Sequence, residues 1–262
     1  MKVMTVVGTR PELIRLSRVI DRLDKNFEHV LVHTGQNFDY ELNQIFFDEL
    51  EIRQPDYFLE AAGGTSAQTI AKVIEKIDLL LEQIKPDAIL ILGDTNSGLC
   101  VIPAKRRHIP IFHMEAGNRC FDLRVPEEIN RKIIDHLSDI NLPYTENARR
   151  NLLAEGLPAD QIFVTGSPLT EVLEYYKEKI DSSQVVSTLG LEPGKYFVAS
   201  FHREENVDSS ERLETLLESL NALVEEFDLP IVLSVHPRTR KEMEASTVVL
   251  NSKIRDLKPL GF

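Results

Sequence analysis

Features that would place this 262-residue chain in a membrane, a secretory route or a disulfide-stapled fold are scarce or missing. No apolar run reaches the ~18 residues needed to span a bilayer, so no membrane helix is predicted. Met1 and Lys2 lead straight into a β-branched run rather than a secretory signal, and a cytoplasmic location is expected. The two cysteines, Cys100 and Cys120, have neither a C-x-x-C spacing nor a histidine at ligand distance, so both are expected to be reduced and no metal site is expected. Basic residues are in deficit, 30 Lys and Arg against 42 Asp and Glu, and the net charge of -12 argues against a nucleic-acid partner. Any anion site must therefore be local. The three-glycine turn G-x-G-x-x-G is also missing: the turn after the first apolar run has only Gly8, and a nicotinamide-type reading fails there. A Y-x-x-x-K spacing at Tyr175 and Lys179 lies on a charged helix without that turn and is set aside.

What is present is alternation. Six apolar or β-branched runs, Val3 to Val7, Val30 to His33, Ala88 to Leu92, Ile111 to Met114, Ile140 to Pro143 and Ile162 to Thr165, are separated by helical patterns. This predicts an α/β protein with a doubly wound parallel sheet. One helix is predicted over 67 to 84, with Ile70, Val73, Ile77 and Leu81 on its stripe and Ser66 as its cap. The Ser-, Gly- and Pro-containing stretch 181 to 195 reads as a linker, dividing a first domain, 1 to 180, from a second, 181 to 262. The second contains a strand at Tyr196 to Ser200, a helix over 209 to 227 and a strand at Ile231 to Val235. So few strands make a thin domain, and the second unit is expected to be about half of a complete one.

Ligands of open parallel sheets bind beyond the carboxyl ends of the strands, and the residues at those positions are unusually polar. Gly8-Thr9-Arg10-Pro11-Glu12, Gly93-Asp94-Thr95-Asn96-Ser97 and Glu115-Ala116-Gly117-Asn118-Arg119 each follow a predicted strand. Thr9 and Glu12 have capping-box spacing and Pro11 suits a first helical turn, so a helix start beside Arg10 is predicted to attract phosphate. The segment from His113 to Leu137 places Glu115 directly after a strand, where a glutamate has little structural purpose. It then opens a helix at Pro126 with Glu127, Glu128, Asn130 and Arg131 in its first turns. Glu128 is read as a complement to the helix dipole.

At these residues the sequence resembles the non-hydrolysing UDP-N-acetylglucosamine 2-epimerase family. "GTRPE", "GDTNS", "HMEAGNR", "PEEINR", "TGSP" and "HREEN" stand at its motif positions in order. "HTGQNFDYELN" and "AGNRCFDLRVPEE" are most similar to the subgroup that makes UDP-N-acetyl-L-fucosamine from UDP-2-acetamido-2,6-dideoxy-L-talose. The resemblance implies a GT-B fold of two Rossmann-like domains, the second incomplete in this chain, which would then be shortened at its carboxyl end. It implies no cofactor, a UDP-sugar substrate and a homodimer. The regulated members' Gln-His-x-x-Met motif is replaced here by Gln36-Asn37-Phe38-Asp39-Tyr40, so activation by UDP-N-acetylglucosamine is not expected.

The implied chemistry begins at C1. If the C1–O bond to UDP weakens first, the C2 proton becomes acidic, giving a 2-acetamidoglycal plus UDP; re-addition with protonation from the opposite face inverts C2. Asp94, Glu115 and Glu127 are the expected carboxyl groups, with His202 joining them from the second domain. Arg10, Arg15 and Arg203 are expected around the diphosphate. Gln36, Arg119, Asn130, Arg131 and His236 complete the expected substrate contacts. Three alternatives remain: a UDP-N-acetylglucosamine 2-epimerase giving UDP-N-acetylmannosamine, a GT-B glycosyltransferase, and a non-catalytic sugar-nucleotide sensor.

Overall fold

The computed structural model describes residues 1–35, 46–201, 209–235, 237–257 and 262. They fall into two compact units, 1–176 with 262, and 177–261.

The first unit is a parallel sheet built on two-residue alternation. Strands β1 (Lys2–Val7), β2 (Glu28–His33), β3 (Tyr57–Phe58), β4 (Ala88–Leu92), β5 (Ile111–Met114) and β6 (Ile140–Leu142) lie in the order β3-β2-β1-β4-β5-β6. Odd and even positions face opposite ways, so each strand feeds two cores. Met4, Val6, Ile89 and Ile91 pack under α2 (Ser66–Ile84) and α3 (Val101–Arg106). Val7, Leu31, Leu90 and Leu92 pack against Leu13, Leu16 and Ile20 of α1 (Arg10–Asn26) and Val172 of α6 (Leu169–Tyr175). Helices α4 (Pro126–Leu137) and α5 (Glu146–Ala154) follow β5 and β6. The strand order reverses between β1 and β4, so the crevice of this sheet opens beyond their carboxyl ends.

Two expectations change here. The cap of α2 is Thr65, whose hydroxyl accepts from the Gln68 N–H at 3.2 Å, rather than Ser66. The predicted strand at Ile162 to Thr165 makes only an isolated bridge between Ile162 and Asn141, with Phe163 and Thr165 donating to the Asn141 and Pro143 carbonyls. With β6 only three residues long and Phe163 and Val164 exposed, nothing extends the pairing. The edge position on the other side goes to β3, too short to stand out as an apolar run.

The second unit carries short helices α7 (Lys177–Asp181) and α8 (Val185–Thr188), then β7 (Phe197–Ser200), α9 (Ser210–Phe227), β8 (Ile231–Ser234), α10 (Pro237–Ala245) and β9 (Ile254–Leu257). The sheet is parallel, ordered β7-β8-β9. Leu220 and Val224 of α9 cover Ile231, Leu233 and Ile254. Strand β9 and helix α10 were not foreseen, because "IRDL" and "PRTRKEMEA" carry too few apolar residues to show a period.

Candidate active site

The turn leaving β1 is organised around a buried carboxylate. Glu12 is 2% exposed, and its Oε2 accepts from the Gly8 N–H at 2.9 Å and the Thr9 hydroxyl at 2.8 Å. Its Oε1 accepts from the Thr95 hydroxyl at 3.1 Å, joining the turn after β1 to the turn after β4. The expected capping box is thus altered: Thr9 caps by backbone position alone, and its hydroxyl donates to Glu12 instead of accepting from the helix. The Glu12 carboxyl takes up the free Gly8 N–H at the helix start, where a phosphate was expected. Arg10 lies 5.5 Å from the centre of the Phe46 ring.

Burial raises the Glu12 carboxyl from 4.5 to about 7, against the lowering effect of its hydrogen bonds. The folded chain therefore holds this proton more tightly than the unfolded chain does. The contribution is complete below the unfolded value and is lost as pH rises through about 7, an effect of about 3 kcal/mol. Urea midpoints are expected to fall between pH 5 and 7.5, and Glu12→Gln should flatten that fall; an unchanged slope in the variant would refute the assignment.

Glu115 sits one residue past β5, with a left-handed backbone at φ 65°. Its N–H donates to the Leu142 carbonyl at 3.1 Å, fixing it at the end of the sheet. Its side chain is 18% exposed and forms an ion pair with Arg15, one turn into α1. Asn118 Nδ2 is 3.4 Å from Oε1. Burial raises the Glu115 carboxyl above its ordinary value; Arg15 opposes this, and the neighbouring charge of Asp94 adds to it. Gly93, at φ 75°, is where the backbone passes Glu115: a Cβ there would lie 3.5 Å from Oε2. Asp94 is held in turn by Arg131, at 3.0 Å through Nε and 2.7 Å through a terminal nitrogen. Asn130 Nδ2 donates to the Asp94 carbonyl at 3.0 Å.

With this geometry in place, comparison with known proteins decides the family. The model of the UDP-N-acetylglucosamine 2-epimerase family matches residues 21–262. The chain belongs to that family. It is 36% identical to a UDP-N-acetylglucosamine 2-epimerase of Methanocaldococcus jannaschii, over all of this chain and 74% of the relative. A solved UDP-N-acetylglucosamine 2-epimerase from Rickettsia bellii is 55% identical, with a TM-score of 0.91 over all of this chain and 70% of that one. A Methanocaldococcus jannaschii UDP-GlcNAc 2-epimerase solved with UDP-GlcNAc and UDP is 35% identical, with a TM-score of 0.92 over all of this chain and 74% of that one. The α/β fold with parallel sheets is that of these GT-B epimerases.

In this epimerase-family chain, the structure brings Asp94, Glu115, Arg15, Asn130 and Arg131 to one end of the first sheet. Glu127 is exposed on the first turn of α4. Gln36, His202, Arg203 and His236 lie outside the described residues. Arg119, expected as a substrate contact, has a fully buried side chain; it pairs with Asp135 at 2.7 Å and with Glu155 at 2.8 and 2.5 Å. Those pairs anchor the loop after β5 to α4 and to the residue that ends α5, and leave the Arg119 side chain no exposed surface.

Glu128 and Asp135 are the groups that sequence reasoning undervalued. Both are 0% exposed. Glu128 accepts from the Cys120 and Phe121 N–H groups at 3.0 and 3.3 Å and pairs with Arg131 at 3.0 Å. It therefore does more than complement a helix dipole: it shapes the loop and supports the Arg131–Asp94 contact. Asp135 accepts twice from the Gly117 N–H and lies 2.9 Å from His113 Nδ1. Spacing gave no signal for it, since an aspartate in the third turn of a polar helix looks like solvent-facing charge.

Proposed function

We propose that this chain inverts C2 of a UDP-2-acetamido sugar by eliminating UDP to a 2-acetamidoglycal and adding it back. The observation that carries the reading is Glu115, partly buried at the end of β5 with Arg15 on its carboxylate and the charge of Asp94 beside it. In this reading the C1–O bond breaks with its electron pair leaving on UDP, stabilised by Arg10, Arg15 and Arg203. The C2–H bond then breaks and its proton passes to a carboxylate of the Asp94, Glu115 and Glu127 set. On return, a second group, with His202 as a further candidate, protonates the opposite face. The first unit then carries the carboxylates and the second belongs to nucleotide binding, in a cytoplasmic homodimer.

The substrate we favour is UDP-2-acetamido-2,6-dideoxy-L-talose, with UDP-N-acetyl-L-fucosamine as product for surface polysaccharide synthesis. Supporting this, the loop after Glu115 carries two exposed apolar side chains, Phe121 and Leu123, 77% and 65% exposed, of a kind that suits a 6-deoxy carbon. The relatives named UDP-N-acetylglucosamine 2-epimerases favour UDP-N-acetylglucosamine as the second reading.

The test is incubation with each sugar nucleotide in deuterium oxide without an acceptor, followed by reading C2. Deuterium is expected at C2, faster with the deoxy-talose substrate. Preference for UDP-N-acetylglucosamine in matched kinetics would replace the substrate. No exchange with either sugar would turn the reading towards a glycosyltransferase.

A further inference from the structure

Tyr144 lies two residues past β6, beside the segment that carries Glu115. The two strands pair Met114 with Leu142, and the Glu115 N–H donates to the Leu142 carbonyl at 3.1 Å, so the chain leaves β5 and β6 side by side. The Tyr144 hydroxyl is sealed from solvent and has no hydrogen-bond partner among the described residues. A buried hydroxyl without an acceptor is costly and rare enough to call for a reason. Removing it would relieve the resting fold, which leaves the hydroxyl available to another state of the site.

The groups facing Glu115 narrow that use. Arg15 from α1 and Asn118 from the following loop touch its carboxylate, and the charges of Asp94 after β4 and His113 on β5 act on it, as its own charge acts on Tyr144 beyond β6. Burial, and then the Glu115 charge, raise the Tyr144 phenol above its ordinary range, so it keeps its proton and remains a donor. Glu115 now takes its strong donor from Arg15, while Asn118 is at the long limit.

We propose that Tyr144 is a positioning residue for Glu115: when a sugar-nucleotide diphosphate draws Arg15 off the carboxylate, the phenol hydroxyl donates to Glu115 and keeps it aimed at the reacting carbon. This rests on reading Glu115 as a proton-transfer group of the C2 reaction. Tyr144 keeps its own proton throughout; the proton exchanged at C2 travels on a carboxylate. The role makes Tyr144 a residue whose hydroxyl serves turnover while adding nothing to the resting fold.

Tyr144→Phe removes only the hydroxyl and is the direct test. Its melting midpoint is expected to match or exceed the wild type. Its kcat for C2 deuterium exchange should fall about tenfold, the weight of one hydrogen bond to a charged group, with KM nearly unchanged. Because ionised Glu115 would lose a donor, the acid limb of kcat should move up by about one pH unit. A lowered midpoint with an unmoved limb would show a structural hydroxyl and overturn the proposal. Wild-type kcat in the variant, with exchange abolished by Glu115→Gln, would refute Tyr144 alone. No exchange in the wild type would remove the reading of Glu115, and this inference with it.

Discussion

Glu115→Gln is expected to lower C2 deuterium exchange by about 10²- to 10⁴-fold, the range that a positioned proton-transfer group contributes. Glutamine keeps the shape and still offers a carbonyl oxygen to Arg15, but it can neither take nor return a proton at C2. UDP binding, measured separately by calorimetry, should change little, because the diphosphate is assigned to cations. Retained exchange in this variant would move the chemistry to Asp94 or Glu127. The left-handed backbone at 115 does not complicate the comparison, since glutamate and glutamine bear the same strain there.

Arg119→Met is expected to cost about 3–5 kcal/mol of stability, because it leaves the Asp135 carboxylate buried without its cation. For a unit of this size that is a fall of roughly 10 °C in the melting midpoint. Methionine keeps much of the side-chain volume, so a cavity is not the main cause. The KM of the protein that remains folded should be unchanged. A raised KM with an unchanged midpoint would restore Arg119 to the substrate and contradict the buried geometry.

These two residues also mark what could be read before the structure. Glu115 was legible because a glutamate directly after an apolar run has no structural excuse, and its place at the strand end is what the structure shows. The apolar runs of β1, β4 and β5 likewise placed those strands within a residue of their observed ends. The pairing of Arg119 was not legible for a physical reason: its partners, Asp135 on α4 and Glu155 just past α5, are 16 and 36 residues away. Tyr144 fell outside notice because an unpaired hydroxyl is a property of packing. Glu12 was half legible, since its spacing to Thr9 showed, while its burial depends on Thr95 in another turn. Strand β3 and helix α10 lacked the apolar period that a single chain must display to be noticed.

The crowding at the helix start after β1 bears on which ligands this end of the sheet can take. In nucleotide-binding sheets of this order, the main chain at that corner is left bare so that a pyrophosphate can rest on it. Here a Cβ on Gly8 would lie 2.0 Å from the Ser97 hydroxyl and 2.4 Å from that of Thr34, and the Gly8 N–H is already engaged by Glu12. The chain has upholstered that corner with hydroxyls and a buried carboxyl group of its own. A dinucleotide would have to evict them all, so a negatively charged ligand at this end of the sheet must be met by side-chain cations at arm's length.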